Sequence, residues 1–172
     1  ESYVNARPAE SIGAASTWGN AVVGYNMEEL ENAAELLMED YDTLKNSDAY
    51  LYDLADVLKQ VLSNSSQKYH AAMVSAYRAG NLEEFTEASD QFLSLIDKVE
   101  EVLGTRTEFL FGTWVEQAKA LADGDDDFTE DLYELNAKSL VTTWASYPQA
   151  ESGGLKDYSN RQWAGLTKDF YK

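Results

Sequence analysis

Residues 47–80 read SDAYLYDLADVLKQVLSNSSQKYHAAMVSAYRAG, and the fold class turns on whether this stretch is one helix. Leu51, Leu54, Ala55, Leu58 and Leu62 recur at offsets of 3, 4, 7 and 11, and Tyr69, Ala72, Met73 and Ala76 resume in the same phase. That period places all of them on one helical face. Between the halves, Ser63-Asn64-Ser65-Ser66 puts polar side chains where the stripe should continue. The choice is one helix of about thirty residues or two joined by a kink. We read one long helix, capped at its start by Ser47 and closed at Gly80, the residue type that leaves a helix through the left-handed region.

The neighbours follow the same period. Asn81 with Glu84 caps a helix carrying Phe85, Phe92, Ile96, Val99 and Leu103, which ends at Gly104. Upstream, Asn26 with Glu29 opens a stripe of Leu30, Ala33, Ala34, Leu37, Met38, Tyr41 and Leu44. Downstream, a helix after Thr107 carries Leu110, Trp114, Ala118 and Leu121, and the acidic turn Asp123-Gly124-Asp125-Asp126-Asp127 stops it. Gly112, in the middle of that helix, costs about 1 kcal/mol relative to alanine, so a neighbouring helix is expected close to its backbone. The next helix, from about Phe128 to Trp144, has Tyr133, Ala137, Leu140, Val141 and Trp144 on one face. A loop from Tyr147-Pro148 through Gly153-Gly154 leads to a last helix from about Asp157, with Leu166 and Phe170 in its core. The only prolines, Pro8 and Pro148, lie outside the periodic stretches, and the alternation that marks strands is missing. The expectation is an all-α fold, a bundle of about six helices. Residues 1–172 form a single domain, with 1–26 as an incoming irregular segment and 27–172 as the helical bundle.

The 172 residues carry 13 basic and 31 acidic side chains, a formal charge of −18, and 44% are apolar. Such a chain can bury a core without staples. Its charge repels phosphate backbones and anionic headgroups, so nucleic acid and membrane surfaces are excluded as expected partners. With no cysteine there are no disulfides, thiolate metal sites or thiol nucleophiles. No apolar run reaches membrane-spanning length, and Glu1 to Ala6 do not read as a signal peptide. The chain opens without methionine and stops at Phe170-Tyr171-Lys172 inside a predicted helix, so we expect a piece of something longer, truncated at its C-terminal end.

Little in the sequence is catalytic. The single histidine, His70, has Gln67 three residues before it, where a diiron helix would place glutamate, and it reads as a partly exposed helix residue. The Asp123–Asp127 turn lacks the glycine and glutamate positions of a calcium loop and reads as solvated. Acidic residues such as Glu28, Glu31, Glu35 and Asp42 oppose the apolar stripe. No catalytic residue, metal site or cofactor is expected. Aromatic placement is more informative. Of the 21 aromatics, eleven fall in residues 109–171, with three of the four tryptophans. Trp144, Tyr147 and Tyr158 bracket the loop with Gly153-Gly154, and such a rim offers flat apolar faces with a polar edge, as sugars require. From spacing alone, core packing is the favoured account of these aromatics.

The segment Phe109-Leu110-Phe111-Gly112-Thr113-Trp114-Val115-Glu116-Gln117-Ala118-Lys119 carries a resemblance to a known family. So do Tyr133-Glu134-Leu135-Asn136-Ala137-Lys138, Thr142-Thr143-Trp144 and Asp157-Tyr158-Ser159-Asn160-Arg161-Gln162-Trp163-Ala164-Gly165-Leu166. Together they closely resemble the C-terminal helical domain of glycoside hydrolase family 89, the α-N-acetylglucosaminidases. Ala6-Arg7-Pro8, Thr17-Trp18-Gly19 and Tyr50-Leu51-Tyr52-Asp53-Leu54 leading to Lys59-Gln60 resemble the same family in the same order.

The resemblance implies a domain of a retaining enzyme that removes terminal α-linked N-acetylglucosamine from glycans. Retention needs two carboxyl groups about 5 to 5.5 Å apart. In this family they are glutamates of a TIM barrel that precedes the helical domain, so neither has a counterpart here. The isolated piece is therefore expected to be inactive, and the barrel domain of the same polypeptide is its expected partner. Carried over, the family's pocket wall corresponds to Trp144, Tyr158 and Leu155, the aliphatic residue three before that tyrosine. Two departures bear on this: Ala145 stands where many members have glycine, and the stretch from Trp144 to Tyr158 is several residues longer than usual. The family also continues past Lys172, so some native packing surface is expected to be missing. It implies a secreted, cell-surface or lysosomal-type location without deciding among them. Asn64-Ser65-Ser66 is a glycosylation acceptor only in a eukaryotic secretory pathway. The alternatives are a stand-alone glycan-binding module and a purely structural interaction bundle.

Overall fold

The computed structural model describes residues 2–13, 22–122, 124, 126–144, 148 and 155–172. Among these there are seven helices and no strand. They are α1 (Met27–Glu39), α2 (Tyr41–Leu44), α3 (Asp48–Ala79), α4 (Leu82–Leu103), α5 (Phe111–Lys119), α6 (Asp127–Leu140) and α7 (Thr167–Tyr171). No helix is long and apolar enough to cross a membrane among the described residues.

The long helix is continuous. Ser47 accepts from the Tyr50 N–H at its start, and Gly80, at φ 68°, closes it in the left-handed region. Asn81 at once caps α4 by accepting from the Glu84 N–H at 3.2 Å. The result is a tight αα-hairpin whose two arms form the centre of the bundle. The polar interruption is held by its surroundings. Ser63, Asn64 and Ser66 are all buried. The Ser63 carbonyl accepts from the Ser2 and Ser66 hydroxyls, and the Ser63 hydroxyl accepts from the Gln162 amide at 2.9 Å. Asn64 accepts from Gln60 and donates to the Tyr25 hydroxyl, both at 2.9 Å. With its amide buried and engaged, Asn64 is not presented for modification in the folded chain.

Around the hairpin, Ala55 of α3 and Val99 and Leu103 of α4 pack with Phe109 and Ala164. Further along, Leu95 and Ile96 pack with Val4. Fully burying a side chain of this size stabilises by about 1.5–3 kcal/mol, so a few such positions fix the hairpin on its flanking segments. The incoming segment is more structured than its sequence implied. It makes a 3-10 turn at Tyr3–Asn5 and buries Ser2, Val4, Asn5 and Ala6 against the bundle.

Several boundaries differ from the sequence reading. The first stripe is broken at Asp40, where α1 ends, and Met38, Tyr41 and Leu44 are exposed while Ala34 is buried. The helix after Thr107 starts only at Phe111, because residues 107–109 form a 3-10 turn. Its buried residue is Val115, whereas Leu121 lies 70% exposed in a following 3-10 turn. Nothing described approaches the position of a Gly112 Cβ within 4 Å, so the expected close helix is not there. The last helix begins at Thr167, ten residues after Asp157, and Phe170 is exposed. A tertiary contact sets its start: the Glu100 carboxylate accepts from the Gly165 N–H and, at 3.2 Å, from the Lys168 N–H. A carboxylate at this end satisfies open N–H groups and complements the helix dipole. Just before it, Ala164 pairs with Phe109 and Phe111 through backbone hydrogen bonds of 2.8 and 2.9 Å, an isolated bridge that ties the return segment to the start of α5.

Candidate functional site

α6 leads to the site. Asp126 caps it, accepting from the Thr129 N–H at 2.8 Å. That bond and others from the same backbone hold the Asp126 carboxyl below its ordinary value. Of the other three carboxylates of the acidic turn, Asp127 opens α6, while Asp123 and Asp125 lie outside the described residues. One side of α6 seats against α5: the Trp114 indole N–H donates to the Ala137 carbonyl at 3.0 Å, and Ala137 is buried. Trp114 and Trp163 also meet, with ring centroids 6.0 Å apart. These two tryptophans therefore serve packing.

Trp144 is placed differently. α6 ends at Leu140, four residues short of the expected end, and Val141 plugs into the interior. The chain then turns so that the Trp144 N–H donates back to the Ser139 carbonyl at 2.7 Å, with Trp144 at φ 61°. Among the described residues only one other non-glycine has a positive φ, and that is Asp157, at 59°. Such conformations cost of order 1–3 kcal/mol each and persist only where the surroundings over-determine them. The two are coupled, because the Asp157 N–H donates to the Thr142 carbonyl at 2.7 Å.

This coupling brings the rings of Trp144 and Tyr158 together edge to face, with centroids 4.9 Å apart and planes at 69°. Trp144 is half-buried, Tyr158 is 43% exposed and Leu155 is 38% exposed. Leu155 belongs to the same turn, since its carbonyl accepts from the Tyr158 N–H at 3.1 Å. Trp144 also lines an open concavity with Leu132, Tyr133 and Leu135 of α6. Tyr147 and Gly153-Gly154, the rest of the predicted rim, and Ala145 lie outside the described residues.

Beneath the rim is a polar knot that spacing could not have found. The Asp157 carboxylate, 5% exposed as a residue, accepts from the Tyr171 hydroxyl at 2.6 Å and lies 3.7 Å from the Arg7 guanidinium. Burial, and then the hydrogen bond to Asp157, push the Tyr171 phenol well above its ordinary value, so it stays a donor. Asn160 reaches the Asn5 carbonyl at 3.4 Å. Arg7 and Asp157 did stand in the quoted family segments, and that was the one signal pointing to them.

His70 is half-buried, as read. Its Nε2 is 2.7 Å from the Ala9 carbonyl and its ring meets Tyr3 edge-on at 5.0 Å, so it pins the incoming segment to α3. No group of three metal-binding side chains converges among the described residues.

The chain as a whole is similar to proteins of one family. Residues 1–172 match the family model of the alpha-N-acetylglucosaminidase (NAGLU) C-terminal domain. The chain is 31% identical over 153 residues to the human alpha-N-acetylglucosaminidase, spanning 88% of this chain and 20% of that one. It superimposes with a TM-score of 0.96, at 53% identity over 99% of its length, on a family 89 glycoside hydrolase from Clostridium perfringens in complex with 2-acetamido-1,2-dideoxynojirmycin. The same values hold for a doubly substituted form of that enzyme in complex with its substrate, GlcNAc-alpha-1,4-galactose. The chain thus spans about one-fifth of the length of each relative. With its whole length matched and its bundle superimposable, the chain belongs to the C-terminal domain family of the alpha-N-acetylglucosaminidases of glycoside hydrolase family 89.

Proposed function

We propose that this domain closes one wall of the sugar pocket of an α-N-acetylglucosaminidase, against a TIM-barrel catalytic domain of the same polypeptide that carries the two glutamates. The observation that supports this reading most directly is the pairing of Trp144 with Tyr158 beside an exposed Leu155. An indole face and an aliphatic edge exclude water from one side of a small neutral sugar, and a phenol can donate to, or accept from, its hydroxyls. An edge-to-face pair adds about 0.5–1.5 kcal/mol beyond its burial, which keeps both rings oriented before a ligand arrives. The substrate read for the whole enzyme is terminal α-linked N-acetylglucosamine, the group that the bacterial relative's substrate, GlcNAc-alpha-1,4-galactose, carries.

The outer face of α6 supports the same arrangement. Phe128, Leu132 and Leu135 stand at a spacing of four and three residues and are all exposed. Leu132 and Leu135 line the concavity that reaches Trp144. An apolar strip continuous with the rim suits a surface that the catalytic domain covers, and relatives five times as long have the chain to do so.

The chemistry divides accordingly. The barrel carboxylates act as nucleophile and as acid and then base, while this domain positions the sugar and keeps water off one face. The isolated 172-residue chain should therefore not turn over an aryl α-N-acetylglucosaminide. In the full-length enzyme, Trp144→Ala should raise KM about tenfold or more, the loss of one ring face from the site. An unchanged KM in a folded Trp144→Ala enzyme would refute the wall assignment and favour a purely structural role.

A further inference from the structure

We propose that Asp157 is a positioning residue: its buried carboxylate, clamped between Tyr171 and Arg7, holds the 155–158 turn and the Trp144 turn in the geometry that presents both rings. The inference rests on the reading that Trp144 and Tyr158 form a sugar wall.

Asp157 joins three separate parts of the chain to its own turn. Its Oδ1 accepts from the Tyr171 hydroxyl of α7, and its Oδ2 faces the guanidinium of Arg7 in the incoming segment. Its backbone N–H donates to Thr142, two residues before Trp144, and its carbonyl accepts from the Asn160 N–H at 3.2 Å. Tyr158, its chain neighbour, carries the exposed ring.

The backbone explains why a carboxylate is useful here. Without support, residues at φ 59° and 61° would relax toward negative φ, and the two rings would swing apart. Aspartate is among the few side chains that tolerate the left-handed region, and its two oxygens accept from two directions at once. A carboxylate buried to this depth is costly unless paired and hydrogen-bonded, and both partners are present. The Asp157 carboxylate is thus held by Tyr171 and Arg7, and the clamp reaches the Trp144 turn through the Thr142 hydrogen bond.

The test is a double-mutant analysis of kinetics in the full-length enzyme, with an aryl α-N-acetylglucosaminide as probe and thermal unfolding to confirm that each variant is folded. Asp157→Asn keeps the shape and the left-handed tolerance but removes the charge facing Arg7. Tyr171→Phe removes only the clamping hydroxyl, and it probes the same link from α7 if the Asp157 variant unfolds. Each should raise KM roughly three- to tenfold with a smaller change in kcat, as expected where substrate binding, not chemistry, loses one well-placed contact. Because the clamp acts through both rings of the rim, that rise should shrink when Trp144 is already alanine, leaving only the part carried by Tyr158. Two results would overturn the proposal while leaving the wall intact: folded variants with unchanged KM, or a KM rise that adds in full to that of Trp144→Ala. A silent Trp144→Ala would instead strike down the wall reading and the positioning role with it.

Discussion

The side-chain amide of Gln162 donates to the hydroxyl of Ser63 across 2.9 Å, linking the segment that leads into α7 to the polar interruption of α3. Ser63 is fully buried, so its hydroxyl has this bond or none from solvent. Removing it leaves the Gln162 amide short of a partner in a half-buried setting. Ser63→Ala should therefore destabilise by about 1–2 kcal/mol in urea unfolding. Combined with Gln162→Leu, the losses should fail to add, with a coupling of about 1 kcal/mol. Strict additivity would mean that the two residues act independently.

The core and the outer face of α6 should respond in opposite ways. Leu103 is fully buried between Val99, Ala55 and Phe109, so Leu103→Ala should cost about 2–5 kcal/mol. Leu135 and Leu132 are exposed, and serine at either should change the stability of the 172-residue chain by less than about 0.5 kcal/mol. In the full-length enzyme the same serine substitutions should lower the thermal midpoint, as expected if a second domain covers this strip. Equal tolerance in both settings would place the strip in solvent.

Tyr171 predicts a pH effect on the alkaline side. Its phenol is raised above its ordinary value of 10.0, chiefly by burial and then by the bond to Asp157. A group raised in the folded state contributes stability that is fully present below its unfolded value and is lost as pH rises toward its folded value. The stability gap between the natural chain and Tyr171→Phe should therefore be constant from pH 7 to about 9.5 and narrow above about pH 10. A gap that ignores alkaline pH would show that the phenol is not held by this pair.

On the acid side the sign reverses. The Asp97 carboxyl is held below its ordinary 3.8 by hydrogen bonds from Lys172 and then Lys168, and Glu134 below 4.5 by Lys138 and Lys119. Groups depressed in the folded state stabilise above their unfolded values, and that stability is lost as pH falls through the folded ones. Chemical unfolding followed against pH should show stability falling below about pH 4, and Asp97→Asn should flatten part of that limb.

What the sequence disclosed follows the reach of each signal. Ser47, Gly80 and Asn81 act within one turn of themselves, and the structure has them capping and closing the helices they were assigned to. The in-phase stripes on either side of Ser63 were enough to read α3 as one helix, since phase survives a polar insertion. The start of α7 was misplaced because it is set by Glu100, 65 residues from Gly165, and no local pattern reports such a partner. The break at Asp40 and the exposed Leu121 show the same limit: a stripe says which residues share a face, not whether anything covers it. At the rim, aromatic placement already singles out Trp144 and Tyr158, but spacing alone favours core packing for them, and only the family resemblance points to a pocket wall. The clamp of Arg7, Asp157 and Tyr171 spans the chain from one end to the other and became visible only in three dimensions.

The incoming segment and the return segment share an anchor, since Arg7 meets Asp157 and Asn160 reaches Asn5. The Asp157 carboxylate also takes the Tyr171 hydroxyl of α7, so contacts from residues 5–7 and from α7 meet at one turn. A domain fastened in this way works like a clasp, with its incoming segment and its return segment closing on the one turn that carries Tyr158.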